Sequence, residues 1–203
     1  MKLKRGSEAY YIGVDEVGRG PVAGVVTVCA VAVPKGKNKA WLRGIKDSKK
    51  LTKQQREEWF EKTIEKRNNR TIYFAVSSVG VRYIDVSGIT KALRIAVGRS
   101  LNKLRIKPRE CHVFLDGLLY APSKFKNQKT IVKGDEKKSI IALASIIAKV
   151  YRDRKMVRLS KLYPHYGFDV HKGYGTTAHY KSIKKYGICE IHRKSFLKLT
   201  NGR

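Results

Sequence analysis

The sequence has few cysteines and no long hydrophobic segment, and each absence excludes a class of protein. The cysteines Cys29, Cys111 and Cys189 are far apart and form no Cys-x-x-Cys pair, so neither a zinc knuckle nor a disulfide framework is indicated. The longest uncharged apolar run, residues 21–34, is shorter than the ~20 residues that span a bilayer. The basic N-terminus lacks the apolar stretch of a signal peptide. We therefore expect a soluble cytoplasmic protein.

Acidic residues are also scarce. The chain has 16 Asp and Glu residues against 45 Lys and Arg residues, a formal net charge of +29 over 203 residues. Such a surface attracts polyanions, and duplex nucleic acid carries one charge every ~1.7 Å of its axis. The composition favours a nucleic-acid partner, although an adaptation for solubility or an association with ribosomes would produce the same charge. Charge alone gives no information about chemistry.

The hydrophobic pattern predicts one mixed α/β domain. Strands are predicted at residues 10–14, 22–33, 71–80, 111–117 and 128–135. Helices are predicted at residues 53–68, after a Thr52–Gln55 capping box, at residues 88–104, after a Ser87 cap, and at residues 139–151. The short connection between the first two strands indicates antiparallel pairing. This order of elements is typical of a mixed central sheet flanked by helices.

The scarce carboxylates occur at the ends of predicted strands. Asp15 and Glu16 end the first strand, Asp116 ends a later one, and Asp135 ends the next. Functional groups in α/β sheets gather at strand ends, and a hard divalent cation such as Mg²⁺, or Mn²⁺ in its place, would neutralise four converging acids. Adjacent strand residues face opposite ways, so Asp15 and Glu16 share a site only if the strand distorts or ends, as Gly18 permits. In the alternative interpretation, each acid pairs with its own Lys or Arg.

The glycines of "GRGPVAG", residues 18–24, follow the first acids directly. The segment is not a P-loop, because no Gly-Lys-Ser/Thr follows, and it is not the dinucleotide fingerprint, because a strand comes next. It is either a simple tight turn or a place where the backbone approaches a ligand closely, with Arg19 exposed at its centre.

Several motifs occur together in one order: "DEVGRGPVAG", "DSKKLT", "LDG", "KGDEKKSIIALASIIAKVYRD" and "HKGYGT". In this combination the chain resembles the type 2 ribonuclease H family, and within it the bacterial ribonuclease HII members, over nearly its whole length. The resemblance implies a ribonuclease H-like fold. The pattern of elements predicts residues 1–152 as the catalytic domain and residues 153–203 as a C-terminal helical extension packed on it. It also implies hydrolysis of the RNA strand of RNA/DNA hybrids and nicking 5′ of single ribonucleotides in duplex DNA. Two-metal-ion catalysis would leave 5′-phosphate and 3′-hydroxyl ends.

The resemblance also implies a role for individual residues. The catalytic and metal-binding positions are Asp15, Glu16, Asp116 and Asp135. The substrate-binding positions are Gly18, Arg19, Gly20, Lys49, Ser145 and Tyr174. In the family, the glycine–arginine turn reads the 2′-hydroxyl, the tyrosine packs on the following deoxyribose, and the lysine and serine contact phosphates. The five histidines show no catalytic pairing, so none is expected to act as a general base.

The expected partners are RNA/DNA hybrids and ribonucleotide-containing duplex DNA, bound by a monomer without membrane association. The C-terminal "SFLKLTNGR" lacks the glutamine and paired aromatic residues of a sliding-clamp peptide, so no clamp is expected to bind there. A basic, non-catalytic duplex-binding protein on the same fold is the alternative function. That alternative needs the positive charge but not the acids.

Overall fold

A five-stranded mixed sheet forms the centre of the structure, a computed structural model that describes residues 9–37, 40–45 and 50–197. The strands are β1 (Tyr10–Val17), β2 (Val26–Pro34), β3 (Tyr73–Val79), β4 (Cys111–Asp116) and β5 (Gln128–Ile131). The helices are α1 (Lys53–Asn68), α2 (Val81–Ser87), α3 (Ile89–Lys103), α4 (Gly134–Lys137), α5 (Ser139–Leu162), α6 (Phe168–His171) and α7 (Thr177–Tyr186). Within the described ranges, no helix combines the length and the apolar character needed to cross a membrane.

The strand order is β3-β2-β1-β4-β5. The β1–β2 and β2–β3 pairs are antiparallel, whereas the β1–β4 and β4–β5 pairs are parallel. The antiparallel pairing of the first two strands and the mixed sheet with flanking helices confirm the prediction from the sequence. The parallel arrangement places the carboxyl ends of β1 and β4 side by side, and this positions the site described below.

Helices cover both faces of the sheet. In β2, Val28 and Ala30 belong to the hydrophobic core under α3, whereas Cys29 and Val31 belong to the core under α5 and α1. Since side chains of a strand alternate between faces, a continuous apolar run fits a strand that is buried on both sides. The capping box predicted at the start of α1 is present: the Thr52 hydroxyl accepts from the Gln55 amide, and the Gln55 side chain accepts from the Thr52 amide.

Three element boundaries differ from the prediction. β1 continues to Val17, because its pairing with β2 extends as far as Thr27. β2 begins only at Val26, since the residues before it form a loop. Ser87 does not cap a helix: it ends α2, which was not predicted, and Gly88 with φ of 81° is the N-cap of α3.

The expectation that Asp135 ends a strand is wrong. β5 stops at Ile131, and Asp135 lies in the short helix α4 beyond it. The chain turns there because Lys133 adopts a left-handed conformation with φ of 54°. A regular strand cannot pass through such a residue.

Helix α5 is longer than predicted and runs to Leu162. Its second half remains helical because Met156 is buried in a small separate core with Ala23, Tyr166 and Phe168. The boundary proposed between residues 152 and 153 falls inside this helix. The division into a catalytic domain and a C-terminal helical extension remains a prediction.

Gly13 allows β1 to pack closely against the start of α5. A Cβ atom at this position would lie 2.4 Å from the backbone oxygen of Ile140. We expect Gly13→Ala to lower the free energy of unfolding by about 1–3 kcal/mol, measured by urea denaturation, because rigid backbone has to shift. Gly36→Ala is the control, since a Cβ there would meet nothing within 4 Å. Equal stability of the two variants would contradict the close approach.

Candidate active site

Three acidic side chains converge at the carboxyl ends of β1 and β4. Asp15, Glu16 and Asp116 each place a carboxylate oxygen within 4.8 Å of the others, and we call this group the carboxylate cluster. Asp15 is buried, and the other two are partly exposed. The sequence prediction that acids distant in the chain meet at one point is confirmed by the structure for these three residues.

The sheet explains how two adjacent residues of one strand reach the same point. Pairing between β1 and β4 ends at Val14 and Leu115, although β1 continues alongside β2. Asp15 shares the α5 face of the sheet with Asp116, whereas Glu16 starts from the opposite face. Because β4 no longer pairs with β1 at this position, the longer Glu16 side chain can reach the carboxylates of Asp15 and Asp116. Contrary to expectation, the strand does not end at the acids but continues to Val17, the residue before Gly18.

The carboxylate cluster is electrostatically strained. Burial raises the pKa of Asp15 well above its ordinary value, and the neighbouring charges of Glu16 and Asp116 raise it further, while a hydrogen bond from Ser145 acts in the opposite direction. Burial and the charge of Asp116 also raise the pKa of Glu16. Arg19 offsets part of this effect from 3.7 Å away, where it forms an ion pair with Glu16.

Asp116 and Asp135 are linked through the backbone of α4. The Gly134 amide donates to Asp116 Oδ1 over 2.6 Å, so α4 begins against the end of β4. Asp135 is buried, and its Oδ1 accepts from the Glu136 amide at 3.1 Å. Among the residues that the structure describes, the cluster within 4.8 Å does not include Asp135. Its role as a fourth metal ligand therefore remains a prediction.

The carboxylate cluster fits a divalent metal. Its donors are oxygen atoms only, which suits hard cations such as Mg²⁺ and Mn²⁺ rather than zinc. A bound cation would also relieve the mutual repulsion that raises the pKa values of Asp15 and Glu16. The donor set and its electrostatics therefore agree with the metal site expected from the sequence.

The carboxylate cluster opens into a cavity of about 380 Å³ that also contains most of the expected substrate-binding residues. It is lined by Asp15, Glu16, Val17, Gly18, Arg19, Gly20, Arg56, Asp116, Ser145, Lys149 and Tyr174. The expected phosphate contact Lys49 lies outside the described residues. Arg56 and Lys149 were not expected. Lys149 follows Ser145 by one helical turn of α5, so this spacing could have identified it.

Two buried arginines, Arg152 and Arg193, lie behind the Gly-Arg-Gly turn (residues 18–20). Nothing in the sequence distinguished them from the many other basic residues. A Cβ atom at Gly18, where φ is +94°, would lie 2.2 Å from Arg152 Nε, so only glycine fits between the cavity and this side chain. Arg193, near the C-terminus, donates to the backbone oxygens of Gly18 and Arg19 over 2.7 and 3.0 Å. The C-terminal residues therefore support the turn from the side opposite the cavity.

A chain of histidines supports the backbone at Tyr174. The ring of Tyr174 is 43% exposed at the cavity, while its carbonyl oxygen lies 2.8 Å from His179 Nδ1. His179 Nε2 lies 3.0 Å from His192 Nε2, and His192 Nδ1 accepts from the Cys189 amide over 2.9 Å. These partners assign both protons: His179 donates from Nδ1, and His192 donates from Nε2 to His179. The two rings are therefore neutral supports of the backbone at Tyr174.

A model of the Ribonuclease HII family matches residues 12–199. The chain belongs to the ribonuclease HII family. A ribonuclease HII of Caldicellulosiruptor bescii is 44% identical over 197 residues, which are 97% of this chain and 91% of that relative. Membership in this family makes the protein an endonuclease that acts on RNA/DNA hybrids, as the sequence motifs predicted.

Solved structures of the same superfamily confirm the ribonuclease H-like fold. The ribonuclease HII in the PCNA:RNase HII complex from Archaeoglobus fulgidus has a TM-score of 0.71 and 25% identity, covering 92% of this chain and 95% of that one. Bst ribonuclease HIII in complex with Mn²⁺ has a TM-score of 0.64 and 25% identity, covering 89% of this chain and 63% of that one. The metal of that complex agrees in type with the all-oxygen donors of the carboxylate cluster.

The histidine chain of this family member predicts a specific dependence of stability on pH. Burial lowers the pKa of His179 to about 4, although the hydrogen bond to the Tyr174 carbonyl acts in the opposite direction. Since the unfolded chain binds a proton near pH 6.5 that the folded form excludes, the free energy of unfolding should fall as the pH falls from about 6.5 towards 4.

We expect His179→Gln, which can still donate to the Tyr174 carbonyl, to lose less stability than the wild type between pH 7.5 and pH 5. Urea denaturation at both pH values measures the difference, and the carboxylates contribute equally to both proteins. The exposed His112→Gln is the control and should keep the wild-type dependence. Identical pH dependence in the His179 variant would show that folding does not lower the pKa of this histidine.

Proposed function

We propose that this enzyme nicks duplex DNA on the 5′ side of a single embedded ribonucleotide, in addition to its action on RNA/DNA hybrids. The observation that carries the proposal is one shared cavity. The carboxylate cluster, the Gly-Arg-Gly turn and the exposed ring of Tyr174 all line it, so the cutting groups and the expected ribose-reading groups face the same volume. A lone ribonucleotide differs from its neighbours by one 2′-hydroxyl, so a selective enzyme needs such a reader beside the scissile phosphate.

The side chains divide the work of hydrolysis. Asp15, Glu16 and Asp116, with Asp135 as the proposed fourth ligand, would hold two divalent cations, Mg²⁺ or Mn²⁺. Such cations, when bound, supply an activated water and neutralise charge on the scissile phosphate and on the leaving 3′-oxygen. The protein itself orients the substrate, and the products would be a 5′-phosphate and a 3′-hydroxyl.

The basic residues around the cavity complete the proposed binding of the substrate strand. Arg56 lies at the start of α1, and Lys149 lies on α5, so cations flank the carboxylate cluster from two helices. Arg19 is exposed in the turn and already pairs with Glu16. Ser145, which bonds Asp15, is the proposed phosphate contact from α5. Contacts of this kind position the phosphodiester backbone without reading its sequence.

Tyr174 and the Gly-Arg-Gly turn form the proposed reader of the ribose–deoxyribose junction. The turn offers backbone groups with little steric obstruction, because neither glycine has a side chain. The exposed tyrosine ring can pack on the sugar that follows. For comparison, the stacking of an aromatic side chain on a base contributes about 1–3 kcal/mol. The histidine chain described above fixes the backbone from which this ring projects.

The enzyme is proposed to act as a monomer in the cytoplasm, the location that a substrate of ribonucleotide-containing DNA implies. The relative from Archaeoglobus fulgidus was solved with PCNA. In this chain, the C-terminal segment "SFLKLTNGR" lacks the residues of a clamp peptide, and its part beyond Leu197 lies outside the described residues. We propose no clamp interaction through it.

The central test is a nicking assay on a DNA duplex with one ribonucleotide. Purified protein with Mg²⁺ should cut on the 5′ side, and added EDTA should stop cutting while leaving salt-sensitive duplex binding. Asp116→Asn should reduce cutting by at least about 100-fold with binding retained, because it removes a metal ligand. Asp169→Asn, an exposed acid outside the carboxylate cluster, is the control and should remain active. Cutting that resists EDTA would refute the metal-dependent mechanism.

Arg19→Ala and Tyr174→Ala should impair junction selectivity more than hybrid cleavage. We expect kcat/KM on the single-ribonucleotide duplex to fall about 10-fold or more, and kcat/KM on a long hybrid to fall clearly less, since stacking and ion contacts of ~1–3 kcal/mol are lost at the junction. Tyr186→Ala is a matched control, because that ring is 45% exposed but does not line the cavity. Equal losses on both substrates would count against a junction reader.

A further inference from the structure

Arg152 and Arg193 are both fully buried, with relative exposures of 0%. Each donates three hydrogen bonds, and all six acceptors are backbone carbonyl oxygens. Burying a guanidinium group without a carboxylate is expensive unless its donors are satisfied. Two such groups side by side also repel each other, so their position requires an explanation beyond packing.

The acceptors of the two arginines are different. Arg193 Nη2 donates to the oxygen of Gly18 over 2.7 Å, Nη1 donates to Arg19 over 3.0 Å, and Nε donates to Gly24 over 2.9 Å. Arg152 donates instead to Val25, Ala23 and Lys172. Arg193 therefore binds two consecutive carbonyls of the Gly-Arg-Gly turn, whereas Arg152 binds neither of them.

Because the peptide bond is planar, the hydrogen bonds from Arg193 fix the orientation of two whole peptide groups. In a trans peptide the C=O and the N–H of the next residue point in opposite directions. The carbonyls of Gly18 and Arg19 point at the buried guanidinium, so the amide N–H groups of Arg19 and Gly20 point away from it. On that side lies the cavity, which residues 18–20 line together with the carboxylate cluster.

We propose that Arg193 is a positioning residue that turns two peptide groups of the Gly-Arg-Gly turn so that their amides face the cavity and bind the 2′-oxygen of the ribonucleotide. The inference rests on the proposed function. It assigns specificity to a side chain that does not touch the substrate. The planar guanidinium is suited to this task, because its fixed fork reaches several carbonyls at once, whereas a lysine ammonium cannot reproduce that geometry.

Arg193 is itself held firmly. Asp85, at α2, accepts hydrogen bonds from the backbone amides of Lys194 and Ser195 over 3.0 and 3.1 Å, and one from the Ser195 hydroxyl over 2.6 Å. The Arg193 amide donates to the oxygen of Val22 over 2.7 Å. The position of the guanidinium relative to the turn is therefore fixed from both sides, as positioning requires.

The experiment compares Arg193→Lys with Arg152→Lys, at equal folded fractions established by circular dichroism. Arg152 is a demanding control, because it is equally buried and its guanidinium lies 6.0 Å from the Tyr174 ring, but it binds other carbonyls. We expect Arg193→Lys to lower kcat about 10-fold or more on the single-ribonucleotide duplex, with KM and affinity for an all-DNA duplex within about twofold. Arg152→Lys should lose clearly less kcat, because Arg152 packs against Gly18 but binds neither carbonyl of Gly18 and Arg19. Equal kcat losses in both variants, or none in Arg193→Lys, would overturn the inference.

A measurement on the wild type covers the case in which Arg193→Lys does not fold. Hydrogen exchange of the Arg19 and Gly20 amides should be fast in the free protein and slower with a single-ribonucleotide duplex than with the same all-DNA duplex, in Ca²⁺ to prevent cutting. Equal exchange with both duplexes, or protection in the free protein, would refute the proposal. A wild type that cleaves hybrids but does not nick the single-ribonucleotide duplex would refute the proposed function instead.

Discussion

The repulsion between three carboxylates at the ends of two parallel strands is the constraint on which the site depends. Asp15, Glu16 and Asp116 lie within 4.8 Å of one another, and burial together with their mutual charge raises the pKa of the first two. The fold enforces this proximity through the register of β1 and β4 and the close packing of α5 on Gly13. A divalent cation is the partner that makes such an arrangement favourable.

The proposed substrate-binding groups of the cavity are held in place by buried side chains that lie behind them. The Gly-Arg-Gly turn rests on Arg193, and the backbone of Tyr174 rests on His179. Both supporting side chains are fully buried and come from the C-terminal part of the chain. That part therefore has a role in shaping the cavity although, of its described residues, Tyr174 is the one that lines it.

Features that depend on residue periodicity and on the position of rare residue types could be predicted from the sequence. The mixed sheet, the capping box of α1, and the convergence of Asp15, Glu16 and Asp116 follow from periodicity and from the position of scarce acids. The α4 turn could not be predicted, because a left-handed Lys133 leaves no sequence signal, and Asp135 was therefore assigned to a strand. Arg193 was missed for a different reason: only the packing of residues distant in the chain distinguishes one buried arginine among 45 basic residues.

Thermal unfolding with added cation tests the central claim most directly. At constant ionic strength, Mg²⁺ or Mn²⁺ should raise the Tm of the wild type with increasing concentration, because a ligand that binds the folded state stabilises it. Asp15→Asn should be at least as stable as the wild type without cation, since it relieves repulsion, and should gain much less from the cation. No rise in the wild type, or the same rise in the variant, would contradict the account.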